Sequence, residues 1–230
     1  MKMKNAFPVT TLVALILIFD LLIAAGRVAV ATKATGEVEL IRAKKAATQL
    51  KPGTVLEDGD KIKTGSNGYT ALIFIDDKSI LKIKGNTELE ITGKRLDANI
   101  SKKINMDRGT LRAQVTKQTK SDFVIQTPTS VASVKGTDFW MISDPINGDQ
   151  LIGLEGVVSF ANLISGISLD IGGGFTGVSL ADGSLDSDVT IPDVIPDDPD
   201  DDTDKTEKSE LKIQFQGPDG SIKTLIIEYQ

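Results

Sequence analysis

Short strand-like runs, each closed by a turn signal, recur every ~8–12 residues from Thr35 to Leu180, the rhythm of an all-β sandwich, barrel or solenoid. Val38 and Leu40 alternate with Glu37 and Glu39. Pro52-Gly53, Asp58-Gly59-Asp60 and Gly65-Ser66-Asn67-Gly68 are turn signals. Tyr69 to Ile75 is apolar on both faces and reads as a buried central strand. Leu89 and Ile91 alternate with Glu88 and Glu90, and Leu111, Ala113 and Val115 with Arg112 and Gln114, the pattern of half-buried strands. Residues 93–105 are polar and read as a loop or an edge strand. Val157–Phe160, Ile167–Ile171 and Phe175–Leu180 add three strands. Gly172-Gly173-Gly174 reads as a hairpin connection, because no helix pattern follows it and the lysine and Ser/Thr of a phosphate loop are missing.

The ends differ from this middle. Lys2 and Lys4 precede an apolar run from Leu12 to Ile23, and Ala29-Val30-Ala31 offers small residues for cleavage after Ala31. Asp20 inside that run costs about 2.5–3.5 kcal/mol at the centre of a membrane helix. The segment is therefore a signal peptide, or an anchor whose Asp20 is met by helix partners. Both readings export the remainder to the periplasm or the cell surface. Residues 182–210 hold 12 acidic and 2 basic side chains, which predicts a disordered, self-repelling linker. Asp198, Asp200, Asp202 and Asp204 are candidate calcium ligands there, but the Gly and Glu of an EF-hand are out of register. Leu211, Ile213 and Phe215, then Leu225, Ile227 and Tyr229, flank a Gly217-Pro218-Asp219-Gly220 turn and predict a hairpin. A lone hairpin is marginal in water, so this one should dock on its own domain or on another protein's sheet edge. Ile213, Phe215, Leu225 and Ile227 are its candidate partner-binding residues. The expected segments are residues 1–31, 32–181, 182–210 and 211–230.

Cysteine and histidine are absent. Disulfides, thiolate nucleophiles, ordinary zinc sites and Ser-His-Asp chemistry are excluded with them. Catalysis would need paired carboxylates, for which Asp138, Asp144 and Glu155 are candidates in a glycan hydrolase. No basic stripe of the kind that binds nucleic acid is present, and no cofactor is expected.

One stretch, Gln126 to Trp140, carries the only tryptophan. Pro128 removes a ladder donor, so a strand ends or lies at an edge there, and Gly136 marks a bulge or close backbone approach. Lys135, between apolar neighbours, needs an outward path or a carboxylate partner. Thr127-Pro128, Val131 to Thr137 and Phe139 resemble the "TP…VRGT.F" signature of the FecR domain family, with Lys135 at the arginine. Leu56 to Gly65 resembles its "l..GD.i.TG" segment, and Ala71 to Ser79 its "a.l.f.DGS", with Asp77-Lys78 for Asp-Gly. Gly85 to Leu89, Arg108 to Leu111, Glu155 to Val158 and Leu180 to Gly183 are similar to further family fragments. The resemblance spans most of residues 36–181. It implies an extracytoplasmic, twisted, solenoid-like β domain. Its motif residues Thr127, Pro128, Val134, Lys135, Gly136, Thr137 and Phe139 read as structural, since glycine and small residues at such a bend are explained by packing, with a contact site at Val134 to Thr137 as the alternative. The resemblance also implies a protein partner in the envelope, a membrane receptor or regulator. About ten residues precede the apolar run, too few for the cytoplasmic sigma-binding region of the family's best-known members. The expectation is a non-enzymatic module for envelope signalling or scaffolding, touching the membrane if the first helix is retained. The alternative is an exported adhesive or glycan-binding structural protein. The edge near Pro128 and the Leu211–Tyr229 hairpin are the candidate contact surfaces of the partner-binding module.

Overall fold

Period-two alternation sends every second side chain of a strand to one face, so a chain of short alternating strands buries its apolar half only by stacking two sheets. The computed structural model describes residues 26–43, 45–96, 98–118, 121–200, 209–216 and 222–229. The chain divides between Ile191 and Pro192 into two units. The first holds β1 (Arg27–Thr35), β2 (Val38–Ile41), β3 (Thr48–Gln49), β4 (Val55–Glu57), β5 (Asp60–Thr64), β6 (Tyr69–Phe74), β7 (Ile80–Ile83), β8 (Glu88–Leu96) and β9 (Asn99–Gln114). It continues through β10 (Phe123–Gln126), β11 (Ser130–Val134), β12 (Asp138–Asp144), β13 (Gly148–Glu155), β14 (Val157–Asn162), β15 (Ser168–Gly172), β16 (Phe175–Ser179) and β17 (Leu185–Val189). The second unit has a 3-10 turn at Pro192–Val194 and the strands β18 (Ser209–Gln216) and β19 (Ile222–Tyr229), which pair antiparallel with each other.

The first unit is two open sheets joined by β9. One runs β4-β1-β6-β7-β9-β12-β13-β16-β17. The other runs β3-β2-β5-β8-β9-β10-β11-β14-β15. Residues 99–108 of β9 pair in the second sheet and residues 109–114 in the first. Gly109 at the crossing has φ +116°, and a Cβ there would meet the Thr87 hydroxyl at 2.3 Å. Only glycine lets the strand change sheets so close to its neighbour.

One apolar cluster lies between the sheets. Leu72, Phe74, Leu81 and Phe139 come from the first; Ile62, Ile104, Phe123 and Phe160 come from the second. Phe74 and Phe123 meet edge to face at 5.4 Å across the layer. Burying a side chain of this size contributes about 1.5–3 kcal/mol. Trp140, between the core residues Phe139 and Met141, faces the other way and is buried beneath Lys84 and Arg112.

Tyr69 to Phe74 is a central strand, as its two-sided apolar pattern requires. Several expectations change. Residues 102–105 are neither loop nor edge, for Lys102 to Asn105 pair with β8 on one side and β10 on the other, whereas 93–96 and 99–101 are bonded in the ladders only to each other's strand. Pro128 ends β10 but marks no edge, since β10 lies between β9 and β11. The triple glycine is a crossover, linking β15 of one sheet to β16 of the other. The acidic stretch is not disordered from residue 182 onward, because Leu185–Val189 forms a strand on β16. The boundary at residue 31 falls inside β1, where Val28, Ala29 and Ala31 are fully buried between β4 and β6. The apolar segment itself, Leu12 to Ile23, lies outside the described residues. Among the described residues no helix is long and apolar enough to cross a membrane.

A chain beginning at Thr32 would lose three core side chains and half of a central strand. It is expected to lose several kcal/mol, a large share of a typical ~5–15 kcal/mol stability. A chain beginning at Gly26 should keep full stability. Urea melts of the two truncations decide this; equal midpoints would contradict the placement of β1.

Candidate functional site

The motif residues fall into four constructions. The first is a stack of threonines at the strand ends. Thr64 Oγ1 accepts the Thr87 N–H at 2.9 Å and donates to the Lys84 carbonyl at 2.7 Å. One step on, Thr87 Oγ1 accepts the Thr110 N–H at 3.0 Å and donates to the Thr110 carbonyl at 3.2 Å. The step is 23 residues each time. Sequence reasoning quoted these threonines separately and missed the repeat, whose signal is that spacing.

The second construction holds the Gly59-Asp60 turn. Asp60 is fully buried, and Arg42 donates to both of its oxygens at 2.8 and 2.7 Å. The Glu57 N–H donates to Asp60 as well, at 2.8 Å. The third holds the Thr127-Pro128 turn. Asp149, 1 % exposed, accepts hydroxyl bonds on Oδ2 from Thr127 at 2.5 Å, Ser130 at 2.7 Å and Thr129. Buried carboxylates without such donors are unstable, so this residue of β13 fixes the turn between β10 and β11. Val134 and Phe139 are core.

The fourth centres on Lys102, buried on β9. Its ammonium donates to Asp76 at 2.8 Å, to Asp77 at 2.7 Å and to the Ile100 carbonyl at 3.1 Å. Asp77 also accepts from Gln118 at 2.5 Å and from the Ser79 N–H at 2.9 Å. Burial pushes the Asp77 carboxyl up, but the bonds from Lys102, Ser79 and Gln118 together with the Lys102 charge outweigh it, and the net direction is down.

These bonds bring three lysines to one groove. Thr116 Oγ1 donates to the Asp77 carbonyl at 2.9 Å and the Thr116 N–H to Ser79 at 3.1 Å, which places Lys78 beside Lys117. Val115 and Thr137 exchange backbone bonds at 2.8 and 3.0 Å, and the Gln118 N–H reaches the Lys135 carbonyl at 3.0 Å, which brings in Lys135. Gly136 has φ +134°, and a Cβ there would sit 3.0 Å from Lys117 Cα. The resulting open groove, about 500 Å³, is lined by Lys78, Lys117, Lys135, Thr137, Asp138 and Glu155 among others. Lys135 thus takes the outward path, being exposed.

Of the carboxylates considered for catalysis, Asp138 and Glu155 are neighbours in register on β12 and β13. Arg112 donates to both Asp138 oxygens, at 2.9 and 2.7 Å. Asp144 is at the other end of β12, where bonds from the Ile146 and Asn147 N–H groups hold its carboxyl below the usual range. Asp198 Oδ1 accepts the Asp200 N–H at 3.0 Å; Asp202 and Asp204 lie outside the described residues. Among the described residues, no group of three Asp or Glu could hold a metal ion. Ile213 and Phe215 fall in β18 and Leu225 and Ile227 in β19, with Leu225 opposite Ile213; their side chains lie outside the described residues.

The class defined by this geometry is a two-sheet β module, antiparallel except where β10 runs parallel to β9, cornered by a threonine stack and closed by buried Asp clamps. Residues 60–158 match the FecR protein family, bearing out the resemblance carried by the motifs; the stack, the Thr127 turn and most of the groove lie within that span. Two crystal structures of a proposed anti-sigma factor from Parabacteroides distasonis ATCC 8503 are similar in shape, with TM-scores of 0.48 and 0.47 at 11% and 12% identity. Each alignment covers 56% of this chain and 59% of the other. A comparison with curated proteins gives no match.

Replacing Lys102 with Met leaves Asp76 and Asp77 facing each other without their cation. The expected cost at neutral pH is about 3–5 kcal/mol in a urea melt. A carboxyl lowered in the folded state adds stability above its unfolded value of about 3.9, and that contribution is lost as pH falls through the lower folded value. The native chain should therefore weaken below pH about 4, whereas Lys102→Met should gain stability on acidification as its carboxylates take up protons. Parallel acid profiles for the two would contradict the ion cluster.

Proposed function

We propose that this chain is a non-enzymatic, extracytoplasmic module of envelope signalling that captures a partner protein by strand addition at β15. The observation that carries the reading is the unequal guarding of its four sheet edges. A free edge is a template for another strand, and proteins blunt the edges they do not use. At one end β3 has two residues and β4 three. At the other, β17 carries its own guard. The Thr190 N–H bonds the Gly174 carbonyl, so antiparallel alternation turns the Ser187 and Val189 N–H groups outward. Those N–H groups bond the side chains of Asp186 and Asp188, at 2.8 and 2.7 Å.

β15 has no such caps among the described residues. The Asn162 N–H bonds the Ile167 carbonyl, and the same alternation directs the N–H groups of Ser168, Asp170 and Gly172 to the open edge. Exposed Leu163, Ile164 and Ile167 precede that edge, and Val157 lies opposite Gly172. Main-chain bonds would supply affinity and these apolar side chains the selectivity. The FecR match supports an envelope role, and the pairing of Asp138 with Arg112 favours a binding module over a carboxylate hydrolase, whose acid must be free to give up a proton.

Asp170→Pro removes an outward donor and leaves the β14 ladder intact. Crosslinked capture from intact cells should lose the partner in this variant, while Asp186→Pro, which interrupts the β16 ladder instead, should retain it provided the chain is folded by circular dichroism. Capture unchanged by Asp170→Pro would sink strand addition at β15.

A further inference from the structure

We propose that the groove at Lys135-Gly136-Thr137 binds an oxyanion, a phosphate or carboxylate group held by Lys78, Lys117, Lys135 and the Thr137 hydroxyl. Three independent features converge there. The first is charge. Lys78, Lys117 and Lys135 come from three separate turns and line one groove. Of the two carboxylates that share it, Asp138 is neutralised by the two bonds from Arg112, leaving Glu155 among three lysines, of which Lys78 also reaches the Ile75 carbonyl with its ammonium at 3.4 Å.

The second is an orphaned hydroxyl. Thr137 is 6 % exposed, and its Oγ1 is buried with no hydrogen-bond partner. Thr64 and Thr87 spend their hydroxyls on the next coil; Thr137 lines the groove instead. A buried hydroxyl normally has a partner, and an anion seated between the lysines would supply it.

The third is backbone strain. Lys78 has φ +63°, a left-handed conformation that glycine adopts freely and lysine does not. A residue held in that region at a cleft points to function. Here the strained position sets a lysine at the groove, its ammonium on the Ile75 carbonyl at 3.4 Å and exposed to an incoming anion, where a glycine would set none.

The groove uses no residue of β15, so its failure and the failure of the edge reading are separable. The test is an amide NMR titration of the whole chain at constant ionic strength, first with inorganic phosphate, then with a tri-glutamate peptide blocked at both ends. Saturable shifts at Lys117, Lys135, Gly136 and Thr137 are expected with at least one of them. Tighter phosphate binding identifies a phosphate ligand, and tighter peptide binding a carboxylate one. Lys78→Gly and Thr137→Val should each weaken that binding roughly tenfold, about one charge-assisted hydrogen bond. Neither should lower the melting temperature, since the first relieves a left-handed lysine and the second removes an unpartnered hydroxyl. A structural role predicts the opposite: lower melting temperatures and unchanged affinity. Shifts that never saturate and are matched by chloride overturn the proposal, as does full affinity in Thr137→Val, which would assign that hydroxyl to an ordered water only.

Discussion

The Lys102 ammonium is the point through which the two sheets and the groove are tied together. It stands on β9, the strand both sheets share, and holds Asp76 and Asp77 in the turn after β6. Asp77 in turn holds Gln118, and its carbonyl holds Thr116. A buried ammonium is costly unless paired, and a buried carboxylate pair is costly without a cation. Neither tolerates displacement, so the turn between β6 and β7 has one position relative to β9. Lys78, one residue further on, inherits that position.

The threonine stack and the carboxylate clamps use one principle. Open sheets end in strand termini whose backbone groups lack a ladder partner, and each must find another. Thr64 and Thr87 bridge successive coils with one hydroxyl each, taking one N–H and giving to one carbonyl. Asp60 and Asp149 fix tighter turns as acceptors only, Asp60 taking the Glu57 N–H and the Arg42 guanidinium and Asp149 taking three hydroxyls. The family motifs are therefore mostly corner hardware. What distinguishes the Lys135-Gly136-Thr137 corner is that its hydroxyl is left over.

The four edges of the two sheets are guarded unequally. Two edge strands are too short to template another chain, and a third caps its outward N–H groups with aspartates. The acidity of residues 182–189, which in the sequence looks like the onset of disorder, is partly this edge protection. Composition alone does not separate the two, because an aspartate that bonds its neighbour's N–H and one that only repels its neighbours are the same letter.

The alternation of Leu111 with Arg112, the two-sided run at Tyr69–Phe74 and the motif order from Leu56 to Phe139 determined that this chain is a β protein whose motifs resemble those of the FecR family, since side-chain period and turn chemistry act over a few residues. Tertiary structure decided the rest. Lys102 to Asn105 lie inside a sheet although they are mostly polar, and the Lys102 charge is met there by two carboxylates distant in the chain, a partner that local polarity cannot announce. Ala29 and Ala31, which in the sequence suit a processing site, lie buried in a strand, because small residues suit close packing as well as a protease. The groove required three turns from separate parts of the sequence to meet. Which side chains converge depends on hydrogen bonds between coils, and those exist only after the sheets have stacked.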